Sequence, residues 1–124
     1  MAQRKVLVID DNPVVVRLDE SLLSSAGYEV ISATDGEDGF NKACTEKPDV
    51  ILLDVVLPKI HGFELCQKIK NDPRSRDIPV IFVTGTGLED VVLNEPGIKA
   101  DGYLNKPYGQ AEIEAAIKKV IKAD

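Results

Sequence analysis

The sequence predicts an open, doubly wound α/β domain, a parallel sheet covered by helices on both faces. Three observations predict it. Short apolar runs alternate with stretches of helical period along the whole chain; the runs are continuously apolar, as strands buried on both faces must be; and no repeat, low-complexity tract or linker interrupts the series. A single domain over residues 1–124 follows, and 124 residues are enough to bury roughly two-thirds of the surface of the unfolded chain.

Each element has its own signals. "KVLVI" reads as a buried strand, and "NPVVVRLDESLLSSAG" as a helix with Asn12 as N-cap, Pro13 at the first helical position, an apolar face at Val15, Leu18 and Leu22, and Gly27 as its stop. "YEVISA" is a second strand. "GEDGFNKACTEKP" is a weaker helix with Phe40, Ala43 and Cys44 on one side and Pro48 at its end. "DVILLD" is the third strand, followed by the helix "HGFELCQKIKND" with Leu65, Cys66 and Ile69 inward. "IPVIFVTG" is the fourth strand, "LEDVVLNEPG" a short helix cut off by Pro96 and Gly97, and "DGYLN" the fifth strand. The last helix, "QAEIEAAIKKVIKA", turns Ile113, Ile117, Val120 and Ile121 inward.

Composition narrows the function classes. The net charge of −6 opposes attraction to phosphate backbones, so direct nucleic-acid binding is not expected, whereas a divalent cation is compatible with it. Cys44 and Cys66 lie inside apolar helical patterns and read as reduced packing residues of a cytoplasmic protein. The apolar stretch after "MAQRK" is too short for a signal peptide, and no run reaches the length of a membrane span, so membrane insertion is not expected.

The chemistry gathers at the strand ends. In doubly wound sheets ligands bind outside the carboxyl ends of the strands. Asp10 and Asp11 follow the first strand, Asp54 ends the third, Thr84 ends the fourth, and the fifth runs into Lys106. Taken singly each has an ordinary role: an acidic pair can complement a helix dipole, Asp54 can close a strand, Thr84 can be a β-branched strand residue, and Lys106 a solvated loop charge. Together they converge on one rim. Three carboxylates in that space repel one another unless a cation intervenes, and an oxygen-only ligand set suits Mg²⁺.

"VLVIDDNP", "DVILLDVVLPKIHGFEL", "PVIFVTG" and "DGYLNKP" resemble the receiver domain of bacterial two-component response regulators, and the resemblance covers essentially the whole chain. It implies the flavodoxin-like strand order 2-1-3-4-5 with five helices. It also implies that Asp54 is the phosphoacceptor, taking a phosphoryl group from a sensor histidine kinase or a phosphotransfer protein, with Mg²⁺ held by Asp11 and Asp54, by Asp10 through water, and by the backbone carbonyl of Val56. Lys106 and Thr84 would bind the phosphoryl oxygens. Thr84 and Tyr103 would form the switch, although Tyr103 also reads as a plain strand tyrosine. The Lys106-Pro107 bond is cis in the family.

Departures from the family pattern carry their own expectations. Val56 is apolar and cannot orient a water toward an acyl phosphate, so a long-lived phosphoryl group is expected. His61 stands where the family commonly has Asp and reads as a weak N-cap or a solvent-facing ring. The interrupted segment "TGTGLEDVVLNEPGIKAD" puts in doubt whether it, the last strand and the last helix present the usual output surface.

Three functions compete on this reading. A receiver assists its own phosphorylation but turns over no separate substrate, so it is not an enzyme in the ordinary sense. A Mg²⁺-dependent phosphatase with an Asp nucleophile would need a second Asp where Val56 stands. A constitutive scaffold of the pseudo-receiver kind would have lost an acidic residue or the lysine, and neither is lost. The downstream protein target is unknown. The starting Met and a completed last helix are expected of a whole protein, and a receiver cut from a longer regulator or hybrid kinase would look the same.

Overall fold

A computed structural model describes residues 3–55, 62–84, 101–106 and 108–121. Nine elements follow in order: β1 (Lys5–Ile9), α1 (Pro13–Ser25), β2 (Glu29–Ala33), α2 (Gly36–Glu46), β3 (Val50–Asp54), α3 (Gly62–Asn71), β4 (Val80–Thr84), β5 (Gly102–Asn105) and α4 (Gln110–Val120). The five strands form one parallel sheet in the order β2-β1-β3-β4-β5, as expected. Of the five helices expected, four lie among the described residues. The short helix expected over "LEDVVLNEPG", together with Val56, His61 and Pro107, lies outside them.

The uninterrupted apolar strands have a direct structural reason. Successive side chains point to opposite faces, and both faces are covered. Leu7 and Ile9 of β1, Ile51 and Leu53 of β3, and Phe82 of β4 pack against α2 and α3. Their neighbours Val6, Val8, Val50, Leu52 and Ile81 pack against α1 and α4. A strand with one polar face would have left one of these layers without a partner.

Local signals set the helix ends. The Asn12 side chain accepts a 2.9 Å hydrogen bond from Val14 N, and Pro13 opens α1 where no intrahelical donor is lost. Gly27 takes φ +94° just past the helix, where its amide donates to Ser24 O at 3.1 Å. Asp35 caps α2 through Asp38 N at 2.8 Å, and Lys47 adopts a left-handed conformation before Pro48. Glu112 reaches back to accept from Gly109 N at 2.8 Å at the start of α4.

One expectation is corrected. The buried face of α1 is Val16, Asp19 and Leu23, whereas Val15 and Leu22 are half-buried and Leu18 is 51 % exposed. Apolar residues occupy both phases of this helix, so hydrophobicity alone favours the phase that keeps Asp19 outside. Packing chose the other one, with Val16 and Leu23 against the sheet and Asp19 between them.

Candidate functional site

The parallel register brings the carboxylates together. Ile9 pairs with Leu53, and β3 pairs with β4 through Leu53–Phe82 and Asp54–Val83, so Asp10 and Asp54 leave the sheet at the same level. Asp10 is 3 % exposed and Asp54 9 %, while Asp11 points to solvent. One carboxylate oxygen from each of Asp10, Asp11 and Asp54 lies within 4.8 Å of the others. This is the neighbourhood that a charged residue at the end of a fully buried strand requires.

Lys106 supplies the opposite charge. Its amide donates to Thr84 O at 2.8 Å, which extends the β4–β5 pairing by one residue and holds the side chain over the rim. The ammonium stands 3.4 Å from Asp54 Oδ2 and 3.6 Å from Asp10 Oδ2. Burial lifts Asp10 above the usual carboxylate range, with Asp54 and Asp11 adding to the rise and the Asn12 amide and Lys106 opposing it. Asp10 Oδ1 accepts that amide hydrogen bond at 2.9 Å. Three carboxylates against one nearby ammonium leave the rim negative. A hard, oxygen-liganded dication fits this donor set, which contains no sulfur or imidazole among the described residues.

Two expected site residues are placed with other partners. Thr84 is buried, and its hydroxyl is 2.9 Å from Asn105 Oδ1, to which it donates. Tyr103 is 39 % exposed and borders a groove of about 500 Å³ between β5 and α4. Val56 lies outside the described residues, so its carbonyl has no place in this geometry.

Three further residues shape the site without having been singled out from sequence. Asp19 of α1, 1 % exposed, accepts a 2.5 Å hydrogen bond from the Tyr108 hydroxyl. Burial raises its carboxyl to about 6, and nearby Asp10 contributes to the rise, while Tyr108 and Lys106 oppose it. Burial, with Asp19 beside it, likewise raises the Tyr108 phenol. Gly62 is the third. A Cβ there would lie 2.6 Å from Asp54 O and 2.7 Å from Val55 O, so α3 can abut the end of β3 only through glycine. The available signals were an acidic residue three positions after a buried valine, a tyrosine two after the lysine, and a glycine opening a helix.

Comparison with known proteins agrees with this geometry. The profile of the response regulator receiver domain matches residues 6–118. The alkaline phosphatase synthesis transcriptional regulatory protein PhoP of Bacillus subtilis is 39% identical over 120 residues, which cover 96% of this chain and 49% of that protein. The DNA-binding dual master transcriptional regulator RpaA of a Synechocystis strain is 37% identical over 118 residues, covering 95% and 49%. The chain thus spans about half the length of these curated relatives. Among solved structures, a response regulator from Chloroflexus aurantiacus superposes with a TM-score of 0.90 at 29% identity, covering 97% of this chain and 98% of that one. The receiver domain of a sensor histidine kinase from Pseudomonas aeruginosa, with a magnesium ion coordinated in its active-site cleft, gives 0.88 at 30% identity, covering 98% and 100%. The profile match, the shared strand order and the acidic rim facing a lysine have one reading: the chain belongs to the response regulator receiver domain family.

Proposed function

We propose that this receiver domain is a phosphorylation-controlled binding module in which Asp54 is the phosphoacceptor. The observation that carries the reading is the cluster of Asp10, Asp11 and Asp54 carboxylates with the Lys106 ammonium 3.4 Å from Asp54. An Asp54 carboxylate oxygen attacks the phosphorus of a phosphohistidine on a sensor histidine kinase or phosphotransfer protein, or of a small acyl phosphate. The new O–P bond makes an aspartyl phosphate, and the electron pair of the broken bond leaves with the imidazole nitrogen or the acyl oxygen.

Asp10, Asp11 and Asp54 are the residues that would hold Mg²⁺, with the Val56 carbonyl as a further oxygen. Bound there, the ion supplies positive charge to the phosphoryl oxygens. Lys106 would add its own positive charge, moving from a carboxylate partner to a phosphoryl oxygen. Thr84 exchanges Asn105 for a phosphoryl oxygen, and Tyr103 then turns from its exposed position toward the space that the hydroxyl leaves. The signal is the resulting shift in the population of surface conformations read by a downstream protein partner. The domain turns over no separate substrate. Its own negative charge makes a protein partner, not nucleic acid, the direct target.

Intact mass after incubation with acetyl phosphate tests this, with and without Mg²⁺ and beside Asp54→Asn. The expected result is a gain of one phosphoryl group that needs Mg²⁺ and disappears in the variant. A folded wild-type protein that gains nothing while a control receiver does would instead assign a constitutive scaffold.

A further inference from the structure

Two carboxylates stand beside Lys106, Asp54 and Asp10 at 3.4 Å and 3.6 Å from its ammonium, and a third, Asp19, is bonded to the tyrosine two residues on and has the rise of its carboxyl opposed by the lysine's charge. Asp19 is the most enclosed of the three, at 1 % exposure, and a carboxylate buried without a donor draws any cation within reach. The Tyr108 hydroxyl meets that demand at 2.5 Å. Tyr108 is also two residues beyond Lys106, so the same hydrogen bond pins to α1 the segment that carries the lysine. Val15 and Leu18 of α1, with Lys106 and Tyr108, line a small cleft of about 190 Å³, so the α1 surface and the tyrosine flank the lysine together.

We infer that Asp19 and Tyr108 are a positioning pair for Lys106: the tyrosine hydroxyl occupies the buried α1 carboxylate and tethers the lysine's segment, which keeps the ammonium on the Asp54 side of the rim. The pair touches neither phosphoryl group nor donor. It acts through Lys106, and its kinetic consequence rests on the receiver reading of Asp54.

Two measurements test it. In the first, phosphorylation by acetyl phosphate with Mg²⁺ is followed for wild type, Tyr108→Phe, Asp19→Asn, Lys106→Ala and Tyr108→Phe/Lys106→Ala, each shown to be folded by circular dichroism. Loss of the tether slows Tyr108→Phe by about tenfold, the scale expected when a reacting group is displaced by a fraction of an ångström. Asp19→Asn retains the rate, because its amide oxygen still accepts from the hydroxyl. Calorimetric Mg²⁺ affinity stays unchanged in both. In the Lys106→Ala background the Tyr108→Phe change has no further effect, since the residue through which it acts is gone. A wild-type rate in Tyr108→Phe, or an equal slowing with and without Lys106, would overturn the inference.

The second measurement needs no phosphorylation. The NMR resonance of the Lys106 side chain, recorded without Mg²⁺, shifts on Asp54→Asn in the wild-type background if the ammonium sits by Asp54. That shift is kept with Asp19→Asn and lost with Tyr108→Phe. Its persistence in Tyr108→Phe would sink the pair even if no variant were phosphorylated, whereas its loss beside an unphosphorylated wild type would sink only the receiver reading.

Discussion

At the scale of single residues, Asp19 and Val56 show how one side chain alters a shared framework. Asp19 is a carboxyl enclosed between Val16 and Leu23 on the inner face of α1, with its group raised from 3.8 to about 6. Its folded-state value lies above the unfolded one, so the native state binds the proton more tightly. The stabilisation is full below about pH 4, is lost as pH rises through 6, and stays lost above. Asp10 at the β1 end faces this carboxyl and pushes in the same direction, whereas Lys106 and the Tyr108 hydroxyl oppose it. Replacing Asp19 with Asn removes the charge and keeps the acceptor. Urea unfolding should therefore find Asp19→Asn gaining on wild type by about 1 kcal/mol between pH 5 and pH 7, after a discount for solvent screening. An advantage that is constant with pH would place the titration elsewhere.

If Asp54 is phosphorylated as proposed, Val56 should act by what it lacks. Hydrolysis of an aspartyl phosphate needs a water held in line with the phosphorus, and an isopropyl group two residues after Asp54 offers it no hydrogen bond. The phosphorylated protein should decay slowly, and Val56→Asn should shorten its half-life by about tenfold or more, measured by intact mass after the donor is removed. A wild-type half-life as short as that of rapidly cycling chemotaxis regulators would refute this.

At the scale of elements, the junction of β3 and α3 decides where Asp54 stands. Gly62 N donates to Val55 O at 2.9 Å, and the helix start presses on the backbone oxygens of Asp54 and Val55. Backbone cannot yield as the tip of a flexible side chain can. Gly62→Ala should lower stability by about 1–3 kcal/mol and slow phosphorylation, because relief comes only by shifting the strand end that carries Asp54, the proposed phosphoacceptor. Wild-type stability in thermal unfolding, with an unchanged phosphorylation rate, would mean that α3 moves away freely. Neighbouring contacts make such freedom costly, since Phe63 packs edge-on against Phe82 at 5.3 Å and Leu65, Cys66 and Ile69 fill the core.

At the scale of the whole molecule, the fold stores an electrostatic conflict at one rim. Parallel strands in register deliver Asp10 and Asp54 to one level, so burying the hydrophobic core also concentrates negative charge. Mg²⁺ that binds the native rim but not the unfolded chain stabilises by about 2.7 kcal/mol at a hundredfold excess over its dissociation constant. Thermal unfolding should accordingly rise by several degrees with Mg²⁺, and this rise should be lost in Asp11→Asn. Asp54→Asn without metal should unfold at a higher temperature than wild type, because one of the repelling charges is gone. Equal responses of all three proteins to Mg²⁺ would show that the ion acts elsewhere.

The sequence by itself determined the layers and the rim, while the strand order came from its resemblance to the receiver family. Continuous apolar runs leave a strand no exposed face, their alternation with helices leaves parallel pairing as the arrangement, and in such a sheet Asp10, Asp54, Thr84 and Lys106 must emerge on one side. Only the tertiary structure decided the phase of α1 and the partners of the polar groups. Apolar residues occur in both phases of that helix, so period alone could not rotate it; the fit of Val16 and Leu23 against the sheet did, and carried Asp19 inward. The bond from Asp19 to Tyr108 joins residues 89 positions apart, and that from Thr84 to Asn105 joins positions 21 apart. Neither separation has a periodic signature, because such contacts exist only once the sheet has brought its strand ends and α1 together.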